Sequence, residues 1–163
     1  PFHDGRFYTF HDALCEPRPV QDHLPILVGG SGPKKTMRTV ALRADGWNTS
    51  GTVEEVRAML DILAGHCADV GRDMKAIEKT ISFPIILRDD RGAAEARYGK
   101  LMAFNEIESM ESSIALLGSP TEVADAIRPY AELGFETVIV RMPAPYDRET
   151  IDRMARVSEL LDG

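Results

Sequence analysis

Alternation of strand-like and helix-like segments sets the strongest limit on what this chain can fold into. Four times, a short apolar stretch gives way to a segment of helical period, with glycine or capping residues at the joints. The first strand is Pro25-Ile26-Leu27-Val28, whose lack of alternation predicts a parallel strand covered on both faces. Gly29-Gly30-Ser31-Gly32-Pro33 ends it. A helix follows over about 33–43, with Met37, Val40, Ala41 and Ala44 as its buried stripe. Ala44-Asp45-Gly46-Trp47-Asn48 reads as a short second strand. Thr52 and Glu55 then form a capping box for a helix whose apolar face is Val56, Leu60, Leu63 and Cys67. Gly71 is placed to end it in a left-handed cap.

A third strand covers Thr80–Leu87, where Pro84, lacking an N–H, predicts a bulge, a bend or an edge position. Residues 92–117 read as one or two helices with a mobile loop around Phe104–Ser113. Ser119-Pro120-Thr121-Glu122 opens a further helix with an N-cap, Pro at N1 and Glu at N3. Its stripe is Val123, Ile127, Tyr130 and Ala131, and Gly134 ends it. Thr137–Val140 reads as a buried strand, and Asp147 caps a last helix with Ile151, Met154, Val157 and Leu161 on its core face.

Units of this kind predict a parallel sheet with right-handed crossovers. It can stay open as a doubly wound sheet or curve as an arc of a (β/α)8 barrel. A full barrel needs ~250 residues, so four units in 163 residues amount to about half of one. Ahead of them, Phe2–Phe10 reads as a hairpin or edge strand turning at Asp4-Gly5, and Glu16-Pro17-Arg18-Pro19 as an extended connector. The expected organisation is residues 1–24 for hairpin and connector and 25–163 for the β/α arc.

Composition narrows the function classes. Acidic residues outnumber basic ones 26 to 19, giving a net charge of -7, which argues against a duplex or an anionic membrane as partner. No apolar run approaches the ~18 residues of a membrane span. Cys15 and Cys67 lie far apart with no CxxC spacing, as expected of reduced thiols in a cytoplasmic protein. The chain starts at Pro1, through loss of an initiator or because it begins part-way through a longer protein.

Gly29-Gly30-Ser31-Gly32-Pro33-Lys34-Lys35 is the leading candidate for chemistry. Glycines allow a close anion approach, and the first turn of the helix offers free N–H groups and a positive dipole end. Ser31 adds a hydroxyl, and Lys34 or Lys35 a charge. The spacing matches neither GxxxxGK[ST] nor GxGxxG, so a phosphate site and a purely structural turn both remain open on the residues alone. Trp47 fits a core position better than a pocket wall. Arg141 suits a salt bridge better than an anionic ligand. His3, His11, His23 and His66 have no metal-binding spacing, and no GxSxG elbow is present. The chain carries no self-sufficient catalytic set.

Taken in order, several segments are similar to the C-terminal half of bacterial-luciferase-like oxidoreductases. They are Gly5-Arg6-Phe7-Tyr8, Pro17-Arg18-Pro19-Val20-Gln21, Pro25 through Gly32, Ala44 through Asn48, Gly71-Arg72-Asp73, and Gly118 through Ala124, with Gly134 ahead of the last strand. The likeness spans nearly the whole chain and leans toward the coenzyme F420-dependent branch, with FMN-dependent monooxygenases as close relatives. It implies strands five to eight of a TIM barrel preceded by a hairpin insertion. It also implies that Gly29, Gly30, Ser31 and Gly32, with Lys34 nearby, hold the phosphate of F420 or, alternatively, FMN. The implied reaction is hydride transfer to or from a small organic substrate, or oxygen activation in the FMN branch. Catalytic residues are expected in the other half, so the isolated chain is expected to lack turnover. That N-terminal half is the expected partner, and homo-oligomerisation is expected as well. A non-catalytic half-barrel, binding phosphate or assembling through its open strand edges, is the contrasting expectation.

Overall fold

The amino-acid alternation emerges as a parallel sheet in the computed structural model, which describes residues 2–14, 16–107 and 114–162. Strands β1 (Phe2–Asp4) and β2 (Thr9–His11) form an antiparallel hairpin with Asp4 opposite Thr9. The Gly5 amide donates to the Tyr8 carbonyl, so the turn spans Gly5 to Tyr8 rather than Asp4-Gly5 alone. The connector then reaches β3 (Leu27–Gly29), followed by α1 (Lys35–Arg43), β4 (Gly46–Thr49) and α2 (Val53–Val70). Next come β5 (Glu78–Leu87), α3 (Arg91–Phe104), β6 (Leu116–Gly118), α4 (Pro120–Glu132), β7 (Thr137–Arg141) and α5 (Arg148–Asp162).

Strand β4 lies between β3 and β5, and all pairings in this sheet are parallel. The long β5 holds two further neighbours, β7 along Thr80–Pro84 and β6 along Ile85–Leu87. Pro84 therefore stands where β5 exchanges one partner for the other. It is not on an edge, since residues Lys79–Leu87 are all buried. Residues 116–118 are strand and not helix, which adds a fifth, very short strand to the four expected. The expected loop around Phe104–Ser113 falls in part on residues 108–113, outside the described residues.

The helix ends follow from their capping residues. Thr52 and Glu55 exchange side-chain to backbone hydrogen bonds of 3.1 and 2.8 Å, and Ser119 and Glu122 repeat the box at α4. Gly71 (φ 67°) ends α2 in the left-handed region. Thr52→Ala is expected to cost about 1 kcal/mol, measurable by urea unfolding.

The two faces of the sheet are covered differently. Trp47, Ile81, Phe83, Ile85 and Leu87 join the main core with residues of α1, α2, α4 and α5. Residues of opposite parity, Asn48, Thr80, Ser82, Pro84 and Ile86, share the other face, with Thr137, Ile139 and Arg141 of β7 brought there by register. We call this the inner face. Helix α3 packs on it, in a small second core of Ile86, Ala94 and Leu101 with Tyr98 and Leu117.

Expectations of burial fail at the margins of the arc. Strands β3 and β7, read as covered, are open: Leu27 is 53% exposed and Ile139 37%. Each has a single strand neighbour among the described residues. On α4, Ala124 is buried in place of Ala131. On α5, Ile151 is exposed and Thr150 is buried instead. There the polar Thr150 has a reason to be inside, because its hydroxyl accepts from the Leu87 amide at 2.9 Å.

Candidate functional site

Loops leaving the C-terminal ends of β3 and β4 meet at a cleft of about 650 Å³. Its walls include Ser31 from the first loop, Thr49, Ser50, Gly51 and Thr52 from the second, and Val56 and Met59 of α2. A parallel sheet collects its βα loops at one end, and ligands bind there.

The first loop is held from several sides. Gly30 sits at φ 120°, a backbone state that side chains with a Cβ rarely adopt. Its amide donates to the Asn48 carbonyl at 3.0 Å. Its carbonyl accepts from Trp47 Nε1 at 2.8 Å. At Gly32, a Cβ would stand 2.7 Å from Thr36 Oγ1. His66 of α2 places Nε2 2.9 Å from the Pro33 carbonyl, so the helix that forms one cleft wall also holds the loop.

Helix α1 begins without a side-chain cap and without an acidic residue in its first turn. Helices α2 and α4 carry capping boxes, and Asp90 caps α3 through the Ala93 amide. The α1 N-terminus therefore keeps its positive end unopposed by a side-chain acceptor. Lys34 and Lys35 are exposed at that end. Of the sequence candidates, Ser31 lines the cleft, while Gly29, Gly30, Gly32 and Lys34 are not among its lining residues.

Trp47 lies in the core, fully buried, with its ring 5.9 Å from that of Phe135. Its indole N–H nonetheless reaches the loop, a role that no local pattern announces, since its partner is 17 residues away. The second loop also escaped sequence reading. Thr52 registered only as a cap, yet Ser50 and Gly51, with Gly51 at φ 142°, shape the opposite wall. Tyr130 Oη donates to the Gly51 carbonyl at 2.8 Å and anchors that wall to α4. Glycine following a polar residue at a strand end was the available signal.

A charged cluster lies beyond the end of β5. Asp147 takes Arg88 in a bidentate pair at 2.8 and 2.9 Å and Arg97 of α3 at 2.7 Å. It also accepts from the Thr150 hydroxyl at 2.6 Å and the Thr150 amide at 3.2 Å, which completes the expected cap of α5. Arg88 above all, then Thr150 and Arg97, hold the Asp147 carboxyl far below the ordinary carboxylate range against the opposing effect of burial. Arg141 ends β7 opposite Pro84 and lines a cavity of about 200 Å³ with Ile107, Met142 and Pro143. Among the described residues no group of three or more His, Cys, Asp or Glu could hold a metal ion. No helix among them is long and apolar enough to cross a membrane.

A family model of luciferase-like monooxygenases matches residues 2–112. The chain belongs to this family. An uncharacterized protein of Mycobacterium tuberculosis is 31% identical to it over 158 residues, covering 97% of this chain and 42% of the relative. An F420-dependent secondary alcohol dehydrogenase, solved with an F420-acetone adduct, superposes with a TM-score of 0.76 at 14% identity. That match covers 99% of this chain and 56% of the dehydrogenase. A riboflavin lyase solved with modified FMN gives 0.72 at 14% identity, over 99% of this chain and 48% of the lyase. The luciferase-like chain thus spans about half the length of the proteins it matches, and its sheet and helices have the fold of part of their barrels.

Proposed function

We propose that this chain is the C-terminal half of a luciferase-like oxidoreductase, with strands five to eight of the barrel in residues 25–163 after a hairpin and connector in 1–24. The half supplies the phosphate-binding wall of the cofactor site. Coenzyme F420 is the proposed cofactor, and FMN presents the same phosphate to the same loop. A small organic substrate is reduced or oxidised in the completed barrel. When bound, the cofactor supplies the redox chemistry. The contribution of this chain is to hold and orient it.

The loop over residues 29–35 carries the proposal. It joins a glycine at φ 120° with no side chain to block approach, a serine hydroxyl in a cleft, and a helix start with neither cap nor carboxylate. Two exposed lysines follow at once. These residues fit a phosphate: N–H groups and hydroxyl for its oxygens, dipole and ammonium groups for its charge. Exposed Leu27 and Ile139 support the half-barrel part. Apolar side chains in two margin strands are what a second half would cover.

The test is a spectral titration of the protein carrying this chain together with its N-terminal half, using F420 and FMN separately. Saturable binding of either is expected, and binding of neither overturns the cofactor reading. F420 also carries a long acidic tail. Lys34→Ala plus Lys35→Ala is expected to weaken F420 about tenfold, equivalent to ~1.4 kcal/mol, and to weaken FMN less. An unchanged F420 affinity would remove the lysines from the site.

A further inference from the structure

Residues 29–35 are all exposed, so the shape of this loop is set by hydrogen bonds and not by apolar packing. Near its start, Gly30 is held from β4, through the Asn48 carbonyl and the Trp47 indole. Its far end, where α1 begins, is held from a different element. In a regular helical turn the Met37 amide would donate to the Pro33 carbonyl, four residues back. Here it donates to the Gly32 carbonyl at 3.1 Å. The Pro33 carbonyl is taken up instead by His66 of α2, whose Nε2 stands 2.9 Å away. A carbonyl only accepts, so Nε2 carries the hydrogen, as it does in one neutral tautomer and in the cation.

Helix α2 reaches both parts of the site. Met59 lines the cleft, and the half-buried His66 follows it by seven residues, two turns along the same face. The body of α1 is secured separately. Met37, Val40 and Ala41 are buried in the main core. Arg72, just past the end of α2, donates through Nη1 to the Val40 and Ala41 carbonyls at 3.4 and 3.3 Å. The core and Arg72 therefore hold the helix, and His66 holds the turn that leads into it.

We infer that His66 is a positioning residue for phosphate recognition: its Nε2–H holds the Pro33 carbonyl and so sets the turn on which the Ser31 hydroxyl and the first amides of α1 meet the phosphate. This role rests on the function proposed above. His66 acts through the turn and not by touching the cofactor. Its loss is therefore felt by the phosphate and not by the ring. Stability changes little, because in an exposed turn water replaces the imidazole as donor to the carbonyl.

FMN and riboflavin share one ring system and differ by the phosphate, so the ratio of their affinities isolates the effect. The test is a spectral titration of both on the protein carrying this chain together with its N-terminal half. For a protein that takes F420, the matching pair is F420 and its phosphate-free deazaflavin ring. His66→Ala is expected to weaken the phosphate-bearing cofactor about tenfold and its phosphate-free counterpart less than about twofold, with little change in the urea midpoint. In His66→Gln the amide nitrogen reaches as far as Nε2 and restores the donor, so affinity is expected to return to within about threefold of the unaltered protein. His66→Asn is too short to do so. Equal losses for the two members of a pair would make His66 merely structural and overturn the inference. So would an affinity untouched by His66→Ala, or a Gln variant no better than the Asn variant. Binding of neither cofactor by the unaltered protein overturns the proposed function and this role with it, whereas failure of the His66 role alone leaves binding by the unaltered protein intact.

Discussion

Trp47→Ala is expected to destabilise the chain by about 3–5 kcal/mol, the range for removing a large aromatic from a packed core. Trp47 is fully buried between the α1–α2 layer and Phe135, so the cavity would sit in the main core. Urea unfolding followed by far-UV circular dichroism measures the loss. Fluorescence cannot be used for that variant, because Trp47 is the sole tryptophan. A loss below ~1 kcal/mol would show that the ring is poorly packed. Trp47→Phe separates packing from the hydrogen bond. It keeps most of the apolar volume but leaves the Gly30 carbonyl without its indole donor. The expected cost is about 1–2 kcal/mol. Loosening of loop 29–32 should also weaken the cofactor binding proposed above, where a packing defect elsewhere would not.

Asp147→Ala is expected to cost about 3–5 kcal/mol, because removing one partner of a buried ion cluster leaves charges uncompensated. Asp147 is nearly inaccessible, and Arg88 and Arg97 both depend on it. Helix α5 loses its cap in the same change. The pH dependence has a definite sign. The carboxyl is held below its unfolded value of about 4, so the folded state binds its proton more weakly. Its stabilising contribution is complete above about pH 4 and is lost as pH falls below that value. Denaturant midpoints between pH 7 and pH 3 should fall steeply in the unaltered chain and less steeply in Asp147→Asn. Parallel slopes in the two proteins would show that other carboxylates govern acid sensitivity.

The helical and turn chemistry was readable in the chain because it is local. The Thr52–Glu55 and Ser119–Glu122 boxes, the left-handed Gly71 and the Asp147 cap join groups a few residues apart, and each falls where the residues place it. The apolar stripes of α1 and α2 are equally local, set by the helical period. Residues 116–118 show the limit. Leu-Leu-Gly has no periodicity of its own, and only the end of β5 makes it a strand. Ile151 and Thr150 show another, since helical period placed the apolar residue inward and the Leu87 amide made the threonine the buried one.

By itself, the sequence determined a series of β/α units with parallel strands, its helix caps and a glycine-rich strand-to-helix turn. Each of these depends on backbone preference or on side chains close together in the chain. The tertiary structure decided which groups distant in sequence meet. It brought Trp47 to the Gly30 carbonyl, the Ser50-Gly51 loop to Ser31, and Arg97 to Asp147 across 50 residues. It also put α3 on the opposite face from the other helices, which residue patterns cannot specify. An amphipathic stripe states that a helix is covered, and only the strand parity of Ile86 and Leu117 states by which face.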